Sequence, residues 1–486
     1  MSPYLILIPI LLPIAGGALL LLRRPVEDRV RNIYLECVAC VTSVLVLALL
    51  LFARREPITV YSFIRGFSIT FRIDGMATLF AAMLAFMWPF AQLYAFSYME
   101  GSDDRQAFFS FYLMTYGVSL AMAFSANLVT MYVAFEMLTL VTLPLVTHYQ
   151  NHESLFAGRR YMIYCVAGAS LGFVAVVMCT LDGGGIFRWG GSLGSSFAPG
   201  LMRAVFLLGF FGFGVKAAVF PLFRWLPIAS VAPTPVTALL HAVAVVNSGL
   251  FAVARLTWYA FGPDLLLGSA VQTVCVLTAA FSMVFGAVMA LRQRQFKRRL
   301  AYSTMSNLSY MLLGVALMTP AGLLGGLSHM LFHGVIKMSL FLCAGAFMHV
   351  TGREYIFEIN GMGRQMPVTF TCYTLGALSL TGVPLFCGFV SKWRLLTASL
   401  GAGTAAGTVG AGALLISAFL CAMYTLTISV RAFFPYADTD TSGPSVREAD
   451  WRMLVPIVLF TVLNLALGVC SGPVIALLSR IAEGLL

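Results

Sequence analysis

Charge is scarce in this 486-residue sequence, and lysine is scarcer still. Only 10% of residues are charged, whereas 60% are hydrophobic; a soluble domain carries about 25% charged residues. A water-soluble globular protein is thereby excluded. Of the thirty basic residues, four are lysines (Lys216, Lys297, Lys337 and Lys392), which leaves twenty-six arginines. The ten cysteines are scattered through apolar stretches. Cys37 and Cys40 form the one close pair, CVAC, inside an apolar run with no second pair to match it, so small packing residues are the reading rather than a metal or redox motif. The first apolar run, YLILIPILLPIAGGALLLL, has no basic residue before it and Arg23–Arg24 directly after it, the pattern of a first spanning helix and not of a cleaved signal. No Gly-rich fingerprint follows a strand, and the GGG at 183–185 falls in a loop, so a phosphate cradle is excluded.

What is present is a succession of apolar runs of about 20 residues, each long enough to cross a bilayer as a helix. Continuous runs rule out barrel strands, which alternate over about 10 residues. The pattern predicts an all-α polytopic membrane protein with fourteen spans, at 3–22, 33–53, 75–98, 108–125, 127–147, 160–180, 203–223, 235–257, 266–290, 300–318, 322–349, 368–400, 407–434 and 453–476. Span 7 carries Pro221, and span 12 carries Gly382, Pro384 and Gly388, so both are expected to be broken. Irregular backbone at that depth survives only where protein or water satisfies it. The expected organisation is spans 1–3 over residues 1–98, a five-helix unit (spans 4–8) over 108–257, a second five-helix unit (spans 9–13) over 266–434, and span 14 within 453–486. Five is odd, so the two units would enter the membrane from opposite sides as inverted repeats.

Loops after odd-numbered spans hold eighteen lysines and arginines; those after even-numbered spans hold seven: Arg54, Arg55, Arg65, Arg72, Arg188, Arg203 and Arg255. The positive-inside rule makes the odd side cytoplasmic and puts both termini outside. The net charge of +11 is explained by these flanks and needs no nucleic acid. An integral protein of a bacterial or archaeal cytoplasmic membrane is expected, in contact with lipid.

Three of the four lysines lie in spans; Lys297 sits in the basic turn RQRQFKRRL. Arginine holds its proton under nearly all conditions, whereas the proton affinity of a buried lysine moves readily. Lys216, Lys337 and Lys392 are therefore suited to taking up and releasing protons. The competing reading, a stem that snorkels to the headgroups, applies most to Lys392 beside Trp393 and Arg394. Glu136 is the only acid deep in a span on this reading; its expected partner is Lys216, either as a switchable pair or as a static structural one. His241 lies in span 8. His329, His333 and Lys337 are spaced i, i+4, i+8 and share a helix face over about 12 Å of rise. HxxxH lacks a third metal ligand, so stepwise proton transfer is favoured over zinc, with plain packing as the bland alternative.

Six ordered stretches carry a family resemblance: NLVTMYVAFEMLTL, GVKAAVFPLFRWLP, APTPVTALLHAVAVV, KRRLAYSTMSNLSYMLLG, HMLFHGVIKMSLFLCAG and TGVPLFCGFVSKW. Together they resemble the antiporter-like membrane subunits shared by respiratory complex I (NADH:quinone oxidoreductase), energy-converting membrane-bound hydrogenases and multisubunit Mrp cation/proton antiporters. The resemblance implies inverted five-helix repeats with spans 7 and 12 discontinuous, and a central proton path. By motif position Glu136 matches the family's helix-5 glutamate, Lys216 its helix-7 lysine, His241 its helix-8 histidine and Lys392 its helix-12 lysine, while Lys337 falls in the helix-11 segment. The sequence departs from the family at Ile228, where an Asp often follows the WLP motif, and at Asn247, where many relatives have a helix-8 lysine.

The leading expectation is a proton-translocating subunit of a multisubunit redox-driven complex, with a relay of Glu136, Lys216, His241, His329, His333, Lys337 and Lys392 and with Asn247 at an undecided relay position. No cofactor or metal is expected in the chain; redox cofactors are expected in partner subunits, which would be further membrane subunits and peripheral redox subunits. The alternatives are an Mrp-type Na+/H+ antiporter subunit without a redox partner and a scaffold that conducts nothing.

Overall fold

The computed structural model describes residues 3–23, 27–52, 55–64, 66–435 and 446–486. The loop arginines Arg24, Arg54 and Arg65, and most of the polar loop near 435–450, lie outside them. A short 3-10 turn (Pro3–Ile6) leads into α1 (Leu7–Leu22), and α2 (Asp28–Phe52) follows. Next comes an antiparallel hairpin, β1 (Ile58–Ile64) and β2 (Phe67–Phe71). The first helical group is α3 (Gly75–Tyr98), α4 (Arg105–Ala123), α5 (Leu128–Val146), α6 (His152–Leu181), α7 (Pro199–Gly214), α8 (Trp225–Ala229), α9 (Thr234–Ala242) and α10 (Val245–Arg255). A π-helical turn (Leu256–Phe261) and α11 (Pro263–Leu266) precede α12 (Ala270–Arg292), α13 (Phe296–Ala316) and α14 (Pro320–Thr351). After α15 (Met362–Gln365) come α16 (Pro367–Thr381), α17 (Cys387–Gly401), α18 (Ala405–Phe433), α19 (Trp451–Val469) and α20 (Gly472–Ala482).

The described residues are 77% helical, and among them ten helical stretches, with α9–α10 and its π turn counted as one, are long and apolar enough to cross a membrane. Among the described residues the only sheet is the two-stranded hairpin, so this is an integral membrane protein of helices and not a barrel. Helix starts follow local chemistry. Asp74, Asn127, Asn151, Ser269, Thr319 and Thr404 each accept an N–H of the first turn of α3, α5, α6, α12, α14 and α18. Small residues then let helices close up. A Cβ on Gly212 of α7 would lie 2.3 Å from the backbone N of Gly172 in α6. The stretch α9–α10 and helix α14 are buried at the centre, whereas α1, α2, α6 and α19 turn side chains such as Leu11, Val44, Val166 and Val462 outward.

Three interruptions place the site. Helix α7 stops at Gly214 and regular structure resumes at Trp225, so Lys216 lies in irregular backbone. Helices α16 and α17 are separated at 382–386, where Gly382 adopts φ +101°, a left-handed conformation that suits glycine. Both breaks fall where proline and glycine were expected to put them, although Gly388 belongs to α17, pressed against the Ser379 carbonyl. The third break, at Val243–Ala244 between α9 and α10, was not anticipated. Nor were the hairpin at 58–71 and α20, which makes the segment 453–486 two helices instead of one.

Candidate functional site

All four lysines make the same kind of contact. Lys216 donates to the main-chain carbonyl of Phe135 in α5, and its Nζ lies 3.7 Å from the centre of the Phe135 ring. Lys297 donates to Ala232 O (2.9 Å), Lys337 to Leu300 O (3.1 Å), and Lys392 to Leu380 O (2.5 Å) and Thr381 O (3.2 Å). None of them is in an ion pair with a carboxylate among the described residues; all seven ion pairs found there use arginine. Lys216 and Lys337 are wholly buried, and Lys392 is 5% exposed. A stem reaching for the headgroups is thereby excluded for Lys392, whose Cδ would sit 3.3 Å from a Cβ on Gly382.

Helix α13 supplies a polar spine between α14 and α18. Lys337 Nζ donates to Ser303 Oγ (2.8 Å), which also accepts from the Tyr424 hydroxyl (2.9 Å). One turn along α13, Asn307 donates to Ser303 O (2.7 Å) and its Oδ1 lies 3.2 Å from His329 Nε2. The other ring nitrogen of His329, Nδ1, is 2.9 Å from Ser391 Oγ, the neighbour of Lys392. The rings of His329 and His333 stand 5.8 Å apart on one face of α14, as the i, i+4 spacing requires. Polar contacts thus run from Lys337 through Ser303, Asn307 and His329 to Ser391, the residue before Lys392.

Between this network and Lys216 lies a zone of unpaired polar atoms. Both nitrogens of His241, both of His333 and Oδ1 of Asn247 are buried with no protein partner. Buried polar groups are almost always satisfied, so these five atoms stand out in the core. The break at Val243–Ala244 lies between His241 and Asn247, whose Nδ2 donates to Ala242 O (2.8 Å). Gly249, half a turn beyond Asn247, lets α10 press on the irregular backbone of Lys216: a Cβ there would meet Ala217 N at 2.4 Å.

Several expectations need correction. Glu136 and Lys216 are not in contact; Glu136 is half-buried, its Oε1 has no partner, and the lysine takes the Phe135 carbonyl instead. A second acid within a helix, Glu36 near the start of α2, accepts from Gln92 of α3 (3.2 Å). Arg255 is not a loop charge. It is wholly buried in α10, and its two terminal nitrogens donate to the two carboxylate oxygens of Asp74, each at 2.6 Å. The supporting residues Ser303, Asn307, Ser391 and Tyr424 went unrecognised. The available signal was the density of Ser, Thr and Asn in AYSTMSNLSY, unusual for a span.

These features define a helical integral membrane protein whose core holds buried amines and imidazoles on and beside interrupted helices. The chain belongs to the NADH:quinone oxidoreductase/Mrp antiporter transmembrane family, whose profile matches residues 125–420. It is 30% identical over 468 residues to NADH-quinone oxidoreductase subunit L of Mycobacterium tuberculosis, covering 93% of this chain and 72% of that one. Its fold is similar to a chain of the Mrp complex from Dietzia sp. DQ12-45-1b (TM-score 0.87, 21% identity, 100% and 98% of the two chains covered). It is likewise similar to a chain of the archaeal membrane-bound sulfane sulfur reductase (TM-score 0.85, 22% identity, 99% and 96% covered).

Proposed function

We propose that this chain is a proton-translocating membrane subunit of a multisubunit redox-driven complex. The route runs through Lys216, the His241–Asn247 zone, Lys337, His333, His329 and Lys392, with Glu136 modulating Lys216 through its charge. The observation that carries the reading is the set of buried amines held by carbonyls and linked by hydroxyl, amide and imidazole groups. Such amines can change protonation, and water at the orphaned nitrogens completes the connection. The relatives supply the setting: one is named a quinone oxidoreductase subunit, and the similar folds come from multisubunit membrane complexes. Redox cofactors then belong to partner subunits, peripheral ones included, and this chain responds electrostatically.

The same reading gives fourteen crossings, with α7–α8, α9–α10 and α16–α17 each counted once. It makes α4–α10 and α12–α18 two inverted units, because the fourth crossing of each is broken beside a lysine. The arginine-rich ends face the cytoplasm of a bacterial or archaeal cell, and both termini lie outside.

Purification of the complex from native membranes tests the setting. Iron–sulfur or hydrogenase-like subunits are expected to co-purify; a set of small antiporter subunits alone establishes the Na+/H+ exchange reading instead. Asn247→Lys is expected to assemble and to translocate protons at the parent rate in membrane vesicles, since many members of the resembled family carry lysine there and the Asn247 Oδ1 has no protein partner to lose. Failure of that variant to assemble contradicts it.

A further inference from the structure

We infer that Lys297 is the proton-loading residue of the relay, and that the polar cavity above it is the entrance from the arginine-rich face. This rests on the translocation reading and adds to it the place where protons enter. The cavity holds about 340 Å³ and lies where the ends of α3 and α14, the α5–α6 turn, the α8–α9 link and the start of α13 converge. Glu153 and Glu354 stand at its mouth, both exposed to solvent. Tyr98 and Asn151 line its wall, and the half-buried Lys297 lies at its floor. The two carboxylates act on Lys297 through their field without pairing with it. Glu153 pairs instead with Arg298 (3.0 Å), and Glu354 accepts from the Gln295 amide (3.5 Å). A mouth of carboxylates over a recessed amine concentrates protons from solvent at that amine.

Two inward connections leave Lys297. On α13, Leu300 lies three residues further along, about 4.5 Å of rise, and its carbonyl accepts from Lys337. On the other side the Ala232 carbonyl that holds Lys297 also accepts from Thr237 Oγ1 (3.0 Å), and Thr237 lies one turn before His241 on α9. The cavity floor therefore adjoins both the hydrogen-bonded network and the zone of orphaned nitrogens.

The residue type supports the role. Every other basic residue of this turn, Arg292, Arg294, Arg298 and Arg299, is an arginine, and lysine is used elsewhere in the chain only at the three buried relay positions. A purely electrostatic or capping task at residue 297 would be served by arginine. In the proposed step a solvent proton, passed by the mouth carboxylates, adds to the neutral amine of Lys297. The ammonium then gives up that proton through water toward Lys337 or His241 and returns to the neutral amine.

The test uses native membrane vesicles carrying the assembled complex. Lys297→Arg keeps the charge and the donor to Ala232 O but not the ability to release a proton, so proton translocation is expected to fall by about tenfold or more. Parent-rate translocation by Lys297→Arg, alongside loss in Lys337→Ala, overturns the entrance and leaves the relay standing. Parent rates in both variants sink the relay itself. Should the arginine variant fail to assemble, Lys297→Cys is labelled with a membrane-impermeant thiol reagent. Labelling above the parent background from the cytoplasmic face alone is expected; labelling from the opposite face, or from neither, overturns the assignment.

Discussion

Replacing Lys216 with alanine is expected to cut proton translocation by the assembled complex at least about tenfold, the lower range of what a positioned acid–base group contributes. Its ammonium lies in irregular backbone, held by the Phe135 carbonyl and the Phe135 ring and pressed by α10 at Gly249. Alanine removes the only lysine of the first unit. Assembly should survive, because no carboxylate depends on Lys216 for an ion pair: Glu136 Oε1 already has no partner. Lys216→Arg separates proton exchange from mere charge. Arginine keeps a cation over Phe135 yet does not release its proton, so it is expected to be as impaired as alanine. Proton uptake into vesicles, normalised to the amount of assembled complex, is the measurement. Parent-rate uptake by the arginine variant would remove Lys216 from the relay.

Asp74→Ala is expected to have the largest effect on folding. Arg255 is wholly buried, and the Asp74 carboxylate is its bidentate counter-charge; Asp74 also accepts from Arg72 (3.1 Å) and caps α3 through the Ala77 N–H (3.0 Å). Removing one partner of a buried pair strands the other and costs about 3–5 kcal/mol, a large share of a typical folding stability of about 5–15 kcal/mol. The expected result is a sharp loss of folded protein in membranes and a lower Tm in detergent. The double variant Asp74→Leu with Arg255→Leu should recover much of it, since replacing a whole buried pair with apolar side chains is often close to neutral. An unchanged Tm for Asp74→Ala would show that the pair does not hold the fold.

The buried positions of Lys216, Lys337 and Lys392 were legible in the sequence because lysine is rare and sits in apolar surroundings. Length and hydropathy marked the helices, and proline and glycine marked two of the three breaks. The third, at Val243–Ala244, contains neither residue; it forms where α9 meets α14, with the His241 and Phe341 rings 5.0 Å apart and Gly334 close to the Ala242 carbonyl. The Glu136–Lys216 pairing was inferred from opposite charges in neighbouring spans, but a main-chain carbonyl nearer to Lys216 took the ammonium. Arg255 was grouped with loop charges because it ends an apolar run, and its partner Asp74 is 181 residues away. Lys297 was set aside for a similar reason: a basic turn hides a lysine that the fold recesses. Tertiary placement, which a linear pattern does not contain, decided each of these cases.

The contact that all four lysines share bears on how often the route can be used. When an ammonium bound to a carboxylate sheds its proton, it leaves behind an anion in oil, and the next cycle must start from that penalty. An amine resting on a carbonyl leaves only a dipole, which a passing water molecule can quiet. The loaded amine is then the unbalanced charge, so the cost falls on loading and none is left behind after release.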